Sequence, residues 1–252
     1  MEEIKNINFG VLIPTYNNGK TIEKVIKDVL NYTSNIIVVN DGSTDNTSKI
    51  LSKFQNQITI ITNDKNLGKG ASLKKGFKKA KELNYEYVIT LDADGQHFAD
   101  DILEFLKSLI PGKPVLIIGN RNMQNENVPG RSLFGRKFSN FWVKIETNQN
   151  IEDTQSGYRL YTVSEINKFH FFTNRYDFEI ESLVRWIWKG YPVISVPIKV
   201  YYPPAGERVS HFRGFIDNLR ISILHTVLVT ITIIYVLPLR FLKFIFNCLR
   251  KS

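Results

Sequence analysis

The feature that most constrains this chain is a repeated alternation of short, wholly apolar runs with longer stretches whose apolar residues recur at helical spacing. FGVLIP precedes TIEKVIKDVL, and NIIVVN precedes the turn DGSTDNT and SKILSKF. ITIIT precedes a glycine-rich loop and ASLKKGFKKAKEL, and YEYVITL follows. A strand with one face in water alternates apolar and polar residues, so runs without polar positions belong to strands covered on both faces. The succession predicts an α/β architecture, a parallel sheet between two helical layers.

Polar clusters close three of these strands: PTYNN after VLI, NDGSTDNT after IIVV and DADGQ after VITL. In open α/β sheets ligands bind outside the carboxyl ends of the strands, so the three clusters are expected to converge on one crevice. A further strand, VLIIG, ends at Asn120 and Arg121. The polar, Asn-rich and basic segment 122–150 reads as a mobile loop leading into a helix that covers the site. DFEIESLVRWIWKG reads as a helix and YPVISVPIKVYY as a strand, after which Pro203, Pro204 and Gly206 mark a boundary.

Charge narrows the partner. The chain carries 33 Lys and Arg against 24 Asp and Glu, a net charge of +9, which points to an anionic partner. From Ala205 onward seven basic residues face two acidic ones, so +5 of that charge lies in the stretch that also holds the longest apolar run. A membrane surface therefore outranks nucleic acid as partner. A single cysteine, Cys248, excludes an internal disulfide and fits a reducing compartment. The opening MEEIKNINFG is acidic and is no secretory signal, so the folded part is expected to face the cytoplasm.

Along a strand the side-chain period is two, so Asp92 and Asp94 are expected to point the same way and Ala93 the other. Carboxylates that close repel unless a cation sits beside them. Carboxylate and amide oxygens suit Mg²⁺ or Mn²⁺, which keep waters and share their coordination with substrate phosphates. Asp94 and Gln96 are the metal ligands of this reading, with Asp92 nearer a ribose. The same residues also read as a turn and capping cluster, and a lone DxD does not separate the two. Asp41, at the tip of another strand, can accept hydrogen bonds from a base or ribose, while Ser43 and Thr44 can cap the following helix. In NLGKGAS small residues let backbone N–H groups and Lys69 approach phosphate or base. The spacer of GxxxxGK[ST] is missing, so a P-loop NTPase fits poorly.

Taken in order, IPTYNN, VVNDGSTDNT, NLGKGASLKKGF, LDADGQH, GNR, DTQSGYRLY, YDFEIESL and VPIKVYYPPAGERVSHF resemble the family two glycosyltransferases, within them the polyprenyl-phosphate sugar synthases. The resemblance implies a GT-A fold, a UDP- or GDP-sugar donor, a divalent metal, inversion at the sugar carbon and a lipid acceptor. It also implies that Pro14 and Tyr16 line the nucleotide, that Asp41 holds the base, and that Gly68 and Lys69 flank it. Asp92 and Asp94 match the DxD, with Gln96 beside the metal, and Arg121, Arg136 and Ser139 resemble residues that take the acceptor phosphate. Surface-loop roles for those arginines remain the plain alternative. Two departures stand out: Asn40 replaces the first acid of DDGS, and Ser210-His211 replaces a Ser-Lys pair, leaving Arg208 or Arg213 to supply the charge.

What attacks the sugar decides whether a base is needed. A phosphate monoester is already largely ionised at neutral pH, with a second pKa of about 6, and needs positioning more than deprotonation. A hydroxyl acceptor needs a general base. Asp153 in DTQSGYRLY is the candidate for that catalytic role beside Asp94, with tying down Arg159 as its structural alternative. Glu179 and Glu181 read as structural partners of arginines. His97 reads either as a phosphate contact or as a satisfied structural histidine.

From Ile221 to Leu239 nineteen residues carry no Asp, Glu, Lys or Arg, and Arg220 and Arg240 bracket them. That is close to the roughly 20 residues of a spanning helix, although Ser222, His225, Thr226, Thr230 and Thr232 dilute it and Pro238 kinks it. Phe212, Phe215, Ile216, Leu219 and Ile223 recur at helical spacing opposite Arg213, Asp217 and Arg220, as in a helix lying in a membrane interface. The expected organisation is a GT-A catalytic domain over 1–206 and membrane-associated helices over 207–252, either spanning or interfacial.

Overall fold

The computed structural model describes residues 7–110, 112–121, 130–202 and 212–249. Strands β1 (Phe9–Thr15), β2 (Ile36–Asn40), β3 (Thr59–Thr62) and β4 (Tyr87–Thr90) are linked by helices α1 (Ile22–Leu30), α2 (Thr47–Leu51) and α3 (Lys69–Glu82). Then follow α4 (Ile102–Lys107), β5 (Leu116–Arg121), α5 (Gly130–Thr147), β6 (Arg159–Thr162), α6 (Val163–Ile166), α7 (Phe178–Trp188) and β7 (Val193–Ile198). The tail is α8 (Gly214–Ile231), a π-helical turn (Thr232–Val236) and α9 (Leu237–Leu249).

All seven residues of β1 are buried. Val11 and Ile13 enter one core with Ile22 and Ile26 of α1, while Leu12 enters the other with Leu73 and Phe77 of α3. That two-sided burial is why the strand reads as an unbroken apolar run. The sheet order is β3-β2-β1-β4-β6-β5-β7. β1 to β4 pair in parallel, so their carboxyl ends share one edge.

The sheet departs from the all-parallel expectation at β6, which runs antiparallel to both β4 and β5. Its sequence, RLYT, opens on an arginine and carries no long apolar run. Arg159 is nonetheless fully buried, donating to the carbonyl oxygens of Thr154 (2.7 Å), Ser156 (2.7 Å) and Glu179 (2.6 Å). Three charge-assisted bonds make burial of that guanidinium tolerable.

Segment 122–150 resolves into α5 from Gly130, with residues 122–129 outside those described. The expected boundary at 206/207 also lies outside them, as do Arg208 and Ser210-His211. The tail does not stand away from the rest of the chain. Ile221, Leu224 and Leu228 of α8 join the core that contains α3 and α7, and His225 Nδ1 lies 2.7 Å from Glu146 Oε1 of α5. Thr232 Oγ1 donates to the Glu146 carbonyl at 3.2 Å. Two of the polar residues that dilute the apolar run are thus docking groups. Three others, Ser222, Thr226 and Thr230, donate to carbonyls one turn back within their own helix. The π turn ends two residues before Pro238, whose ring removes a backbone donor and disturbs the α-helical ladder.

Candidate active site

The carboxyl ends of β1, β2 and β4 open on a crevice of about 680 Å³. Pro14, Tyr16, Asp41, Gly68, Lys69, Asp92, Asp94 and Gln96 all line it, so the three strand-end clusters converge as expected.

Asp41 is buried, and its carboxylate organises the glycine-rich loop. Oδ1 accepts from Asn63 Nδ2 (2.7 Å) and Leu67 N (2.9 Å), and Oδ2 accepts from Gly68 N (2.7 Å). Gly68 has φ 105°, a conformation side chains disfavour, and a Cβ there would lie 2.4 Å from the Asn174 carbonyl. Asn40 supplies what an aspartate could not: Nδ2 donates to Ser48 Oγ while Oδ1 accepts from Ser43 N. The expected cap by Ser43 and Thr44 is replaced by Asp45, which accepts from Thr47 N at 2.9 Å. Ser43 Oγ instead accepts from Asn17 N.

β4 stops at Thr90, so Asp92 and Asp94 lie in the turn beyond it rather than on alternate positions of a strand. Thr21 Oγ1 donates to Ala93 O at 2.6 Å, and Tyr201 N donates to Gln96 O at 2.8 Å. Those two bonds pin the turn from both sides. Asp94 Oδ1 accepts from Gln96 N at 3.0 Å. Burial, reinforced by the neighbouring Asp92 charge, pushes the Asp94 carboxyl up to about 6. This is the electrostatic conflict that a cation relieves.

Lys69 is not the free phosphate ligand its motif suggested. Its Nζ lies 2.6 Å from Asp92 Oδ1 and 2.7 Å from Glu179 Oε1. Burial works against the ammonium, but the two carboxylates outweigh it and hold the lysine well above its usual range. Glu179, expected to be a structural partner of an arginine, belongs to this triad, whereas Glu181 does pair with Arg185 (2.8 Å). Gly157 closes the triad from behind. A Cβ there would lie 2.6 Å from Lys69 Nζ, 2.7 Å from Glu179 Oε1 and 2.8 Å from Asp92 Oδ2.

The donors for a divalent ion are therefore Asp94 and the Gln96 amide, with Asp92 already half-neutralised by Lys69. No cluster of three His, Cys, Asp or Glu side chains suited to a metal occurs among the described residues. An oxygen-poor protein set of this kind fits a cation that completes its shell with water and phosphate.

A second group of polar residues stands outside the crevice lining. Arg121 Nε and Nη2 donate to the two oxygens of Asp153, at 2.7 and 2.9 Å. Burial raises the Asp153 carboxyl, but Arg121 outweighs it and holds it below the usual carboxylate range. Asp153 thus pairs with Arg121, not with Arg159. Arg136 donates to the carbonyls of Glu152 (2.7 Å) and Arg121 (3.1 Å) and to Asn120 Oδ1 (3.0 Å), so it braces the end of β5 rather than sitting on a surface loop. Ser139 is fully buried and accepts from Gln155 Nε2 at 3.0 Å. His97 packs against Tyr158, ring centroids 5.1 Å apart, and its buried Nδ1 has no hydrogen-bond partner among the described residues. Burial pulls its pKa down to about 4, so the ring is neutral at neutral pH, unlike a cationic phosphate contact.

Arg175, Tyr176, Phe212, Arg213 and Asp217 also line the crevice. Arg175 Nη1 donates to Asn66 Oδ1 at 2.8 Å, and the motif YDFEIESL began one residue too late to include it. The amphipathic pattern at the start of the tail was legible, but its orientation was not: Asp217 is buried against the crevice, while Phe215, Ile216, Leu219 and Ile223 point away from the protein and are exposed.

The family model for glycosyl transferase family 2 matches residues 10–169. The UDP-N-acetylglucosamine–dolichyl-phosphate N-acetylglucosaminyltransferase of Methanococcus voltae is 30% identical over 213 residues, covering 76% of this chain and 85% of the relative. The polyprenol monophosphomannose synthase of Mycolicibacterium smegmatis is 28% identical, covering 75% of each chain. Human dolichyl-phosphate beta-glucosyltransferase is 29% identical, covering 61% of this chain and 54% of that one. Among solved structures, glucosyl-3-phosphoglycerate synthase from Mycobacterium tuberculosis, in complex with Mn²⁺, uridine diphosphate and phosphoglyceric acid, superposes with a TM-score of 0.68 at 16% identity. The match covers 92% of this chain and 80% of that one, and it carries the GT-A fold.

Proposed function

The chain belongs to glycosyl transferase family 2, and on that premise we propose that it transfers a sugar from a UDP- or GDP-sugar to a polyprenyl phosphate at a membrane surface. The relatives named for dolichyl and polyprenyl acceptors support this acceptor class. The single observation that carries it is the state of Asp153. Held by two side-chain hydrogen bonds from Arg121 and depressed in pKa, that carboxylate is a poor base. An acceptor that arrives ionised needs none.

In this reading the nucleoside diphosphate lies in the crevice over Pro14, Tyr16, Asp41 and Gly68. An oxygen of the lipid phosphate attacks the anomeric carbon as its bond to the leaving diphosphate breaks, inverting the configuration. Mg²⁺ or Mn²⁺, held by Asp94 and Gln96, would supply charge neutralisation for the leaving diphosphate. Lys69 and Glu179 hold Asp92 in place, and Arg175 and Arg213 offer positive charge at the crevice wall. Arg136 fixes Arg121 and the end of β5, where the acceptor phosphate approaches. Ser139, being buried, supports this wall through Gln155 rather than by touching the acceptor.

The tail attaches the enzyme to the membrane. Gly214–Leu242 is long and apolar enough to cross a bilayer by length and composition. Its outward apolar side chains, together with Phe134, Phe141 and Ile145 of α5, form an exposed surface suited to lipid. In this reading the catalytic face lies on the cytoplasmic side, where nucleotide sugars and a single cysteine fit.

The test is transfer by purified protein from labelled UDP- and GDP-sugars, with Mg²⁺ or Mn²⁺, to polyprenyl phosphate and in parallel to lipids that offer only hydroxyls. Product on the phosphate lipid supports the reading. Product confined to hydroxyl lipids sinks it.

A further inference from the structure

A second cavity, of about 720 Å³, lies between the carboxyl end of α7, the segment before it and the tail helix. Four of its lining residues are Lys168, Arg185, Lys189 and Arg240, and no carboxylate lines it among the described residues. Lys168 and Arg185 are each paired with an acid set behind the wall, Glu165 and Glu181. Lys189 and Arg240 are exposed and make no ion pair among the described residues. Their charge faces a groove whose other walls include Trp188, Tyr235 and Leu239.

The groove shares no lining residue with the nucleotide crevice. Asp217 and Ile231 mark the nearer ends of the two along α8, and fourteen residues of helix separate them by roughly 20 Å. The π turn at Thr232–Val236 falls inside the groove wall and contributes Tyr235 and Val236. Such turns reshape a helix where a ligand is accommodated. The occupant must therefore match two unpaired cations, an aromatic and aliphatic wall, and an adjoining helix whose Ile233, Ile234 and Leu237 are exposed. A free anion would use the cations and leave the wall unexplained.

We propose that this groove binds an anionic phospholipid, with the headgroup phosphate taken by Lys189 and Arg240 and an acyl chain along Trp188, Tyr235 and Leu239. The lipid holds the tail helix and α7 together at the membrane surface, apart from the acceptor that is glycosylated. The inference rests on the membrane-attached reading of the tail.

The experiment is flotation of the full chain with vesicles of phosphatidylcholine alone or of phosphatidylcholine with phosphatidylglycerol. It compares the native sequence, the Lys189→Ala/Arg240→Ala double variant, and Lys24→Ala/Lys49→Ala, which removes the same charge from the exposed faces of α1 and α2. The native chain is expected to prefer the anionic vesicles, and the groove variant to lose about fivefold per cation removed. Binding to phosphatidylcholine alone should be unchanged, the α1/α2 variant should keep the preference, and added inorganic phosphate should not displace the protein. Equal losses in both variants would reduce the effect to diffuse charge, and displacement by inorganic phosphate would make the groove an anion site; either overturns the proposal. Binding to phosphatidylcholine without anionic preference fails the groove alone, whereas no binding to any vesicle fails the membrane reading with it.

Discussion

Arg121 and Asp153 form a two-point ion pair, Nε to Oδ2 at 2.7 Å and Nη2 to Oδ1 at 2.9 Å, with the carboxylate side chain wholly buried. Its geometry makes each residue the other's partner before any substrate arrives. Asp153→Asn should leave a guanidinium without its counter-charge and destabilise the protein by about 3–5 kcal/mol. The Arg121→Met/Asp153→Leu pair should recover most of that stability in chemical denaturation while sugar transfer stays lost. Recovery of transfer along with stability would show that the pair only holds the fold.

Gly157 gives a sharper probe of the triad. An added methyl would meet Lys69, Glu179 and Asp92 at 2.6–2.8 Å, closer than side-chain carbons approach. Gly157→Ala should displace Asp92 and lower kcat/KM for the sugar donor by roughly 100-fold, the effect of a shift of about 1 Å at a reacting centre. Nucleoside diphosphate affinity by calorimetry should fall with it, and the melting transition should remain cooperative. Unchanged donor kinetics would remove the triad from the site.

Asp101 sets a pH dependence of known sign. It is buried, accepts from Lys199 N at 2.8 Å, and is pushed by burial up to about 6 from 3.8. The fold thus favours the protonated form, so stability from this group is full below about pH 4 and is lost as pH rises through 6. Asp101→Asn, which mimics the protonated form, should be more stable than the native chain by about 1–2 kcal/mol at pH 7 and equal to it at pH 4. A difference that does not vary between those pH values would contradict the assignment.

The parallel half of the sheet was legible because its strands are buried on both faces and so write themselves as unbroken apolar runs. The crevice followed from it, since Asp41, Asp92 and Asp94 each come directly after such a run. What joined from the second half was not legible. β6 is four residues long and opens on a buried arginine, so it lacks the apolar signal of a central strand. The approach of Gly157 and Glu179 to Lys69, and of Arg175 to Asn66, depends on that strand's direction, which local periodicity does not encode. The tail pattern showed an apolar and a polar side, but nothing in the spacing said that Asp217 faces the crevice and that Phe215 faces out.

The most direct test of the central claim is the linkage in the lipid product. After reaction with a labelled nucleotide sugar and polyprenyl phosphate, ³¹P NMR of the extracted lipid reads the acceptor phosphorus itself. The account predicts that the monoester resonance is replaced by a phosphodiester, and that with Asp94→Ala the monoester persists. A labelled lipid that retains its monoester, with the sugar on a hydroxyl, would contradict the account.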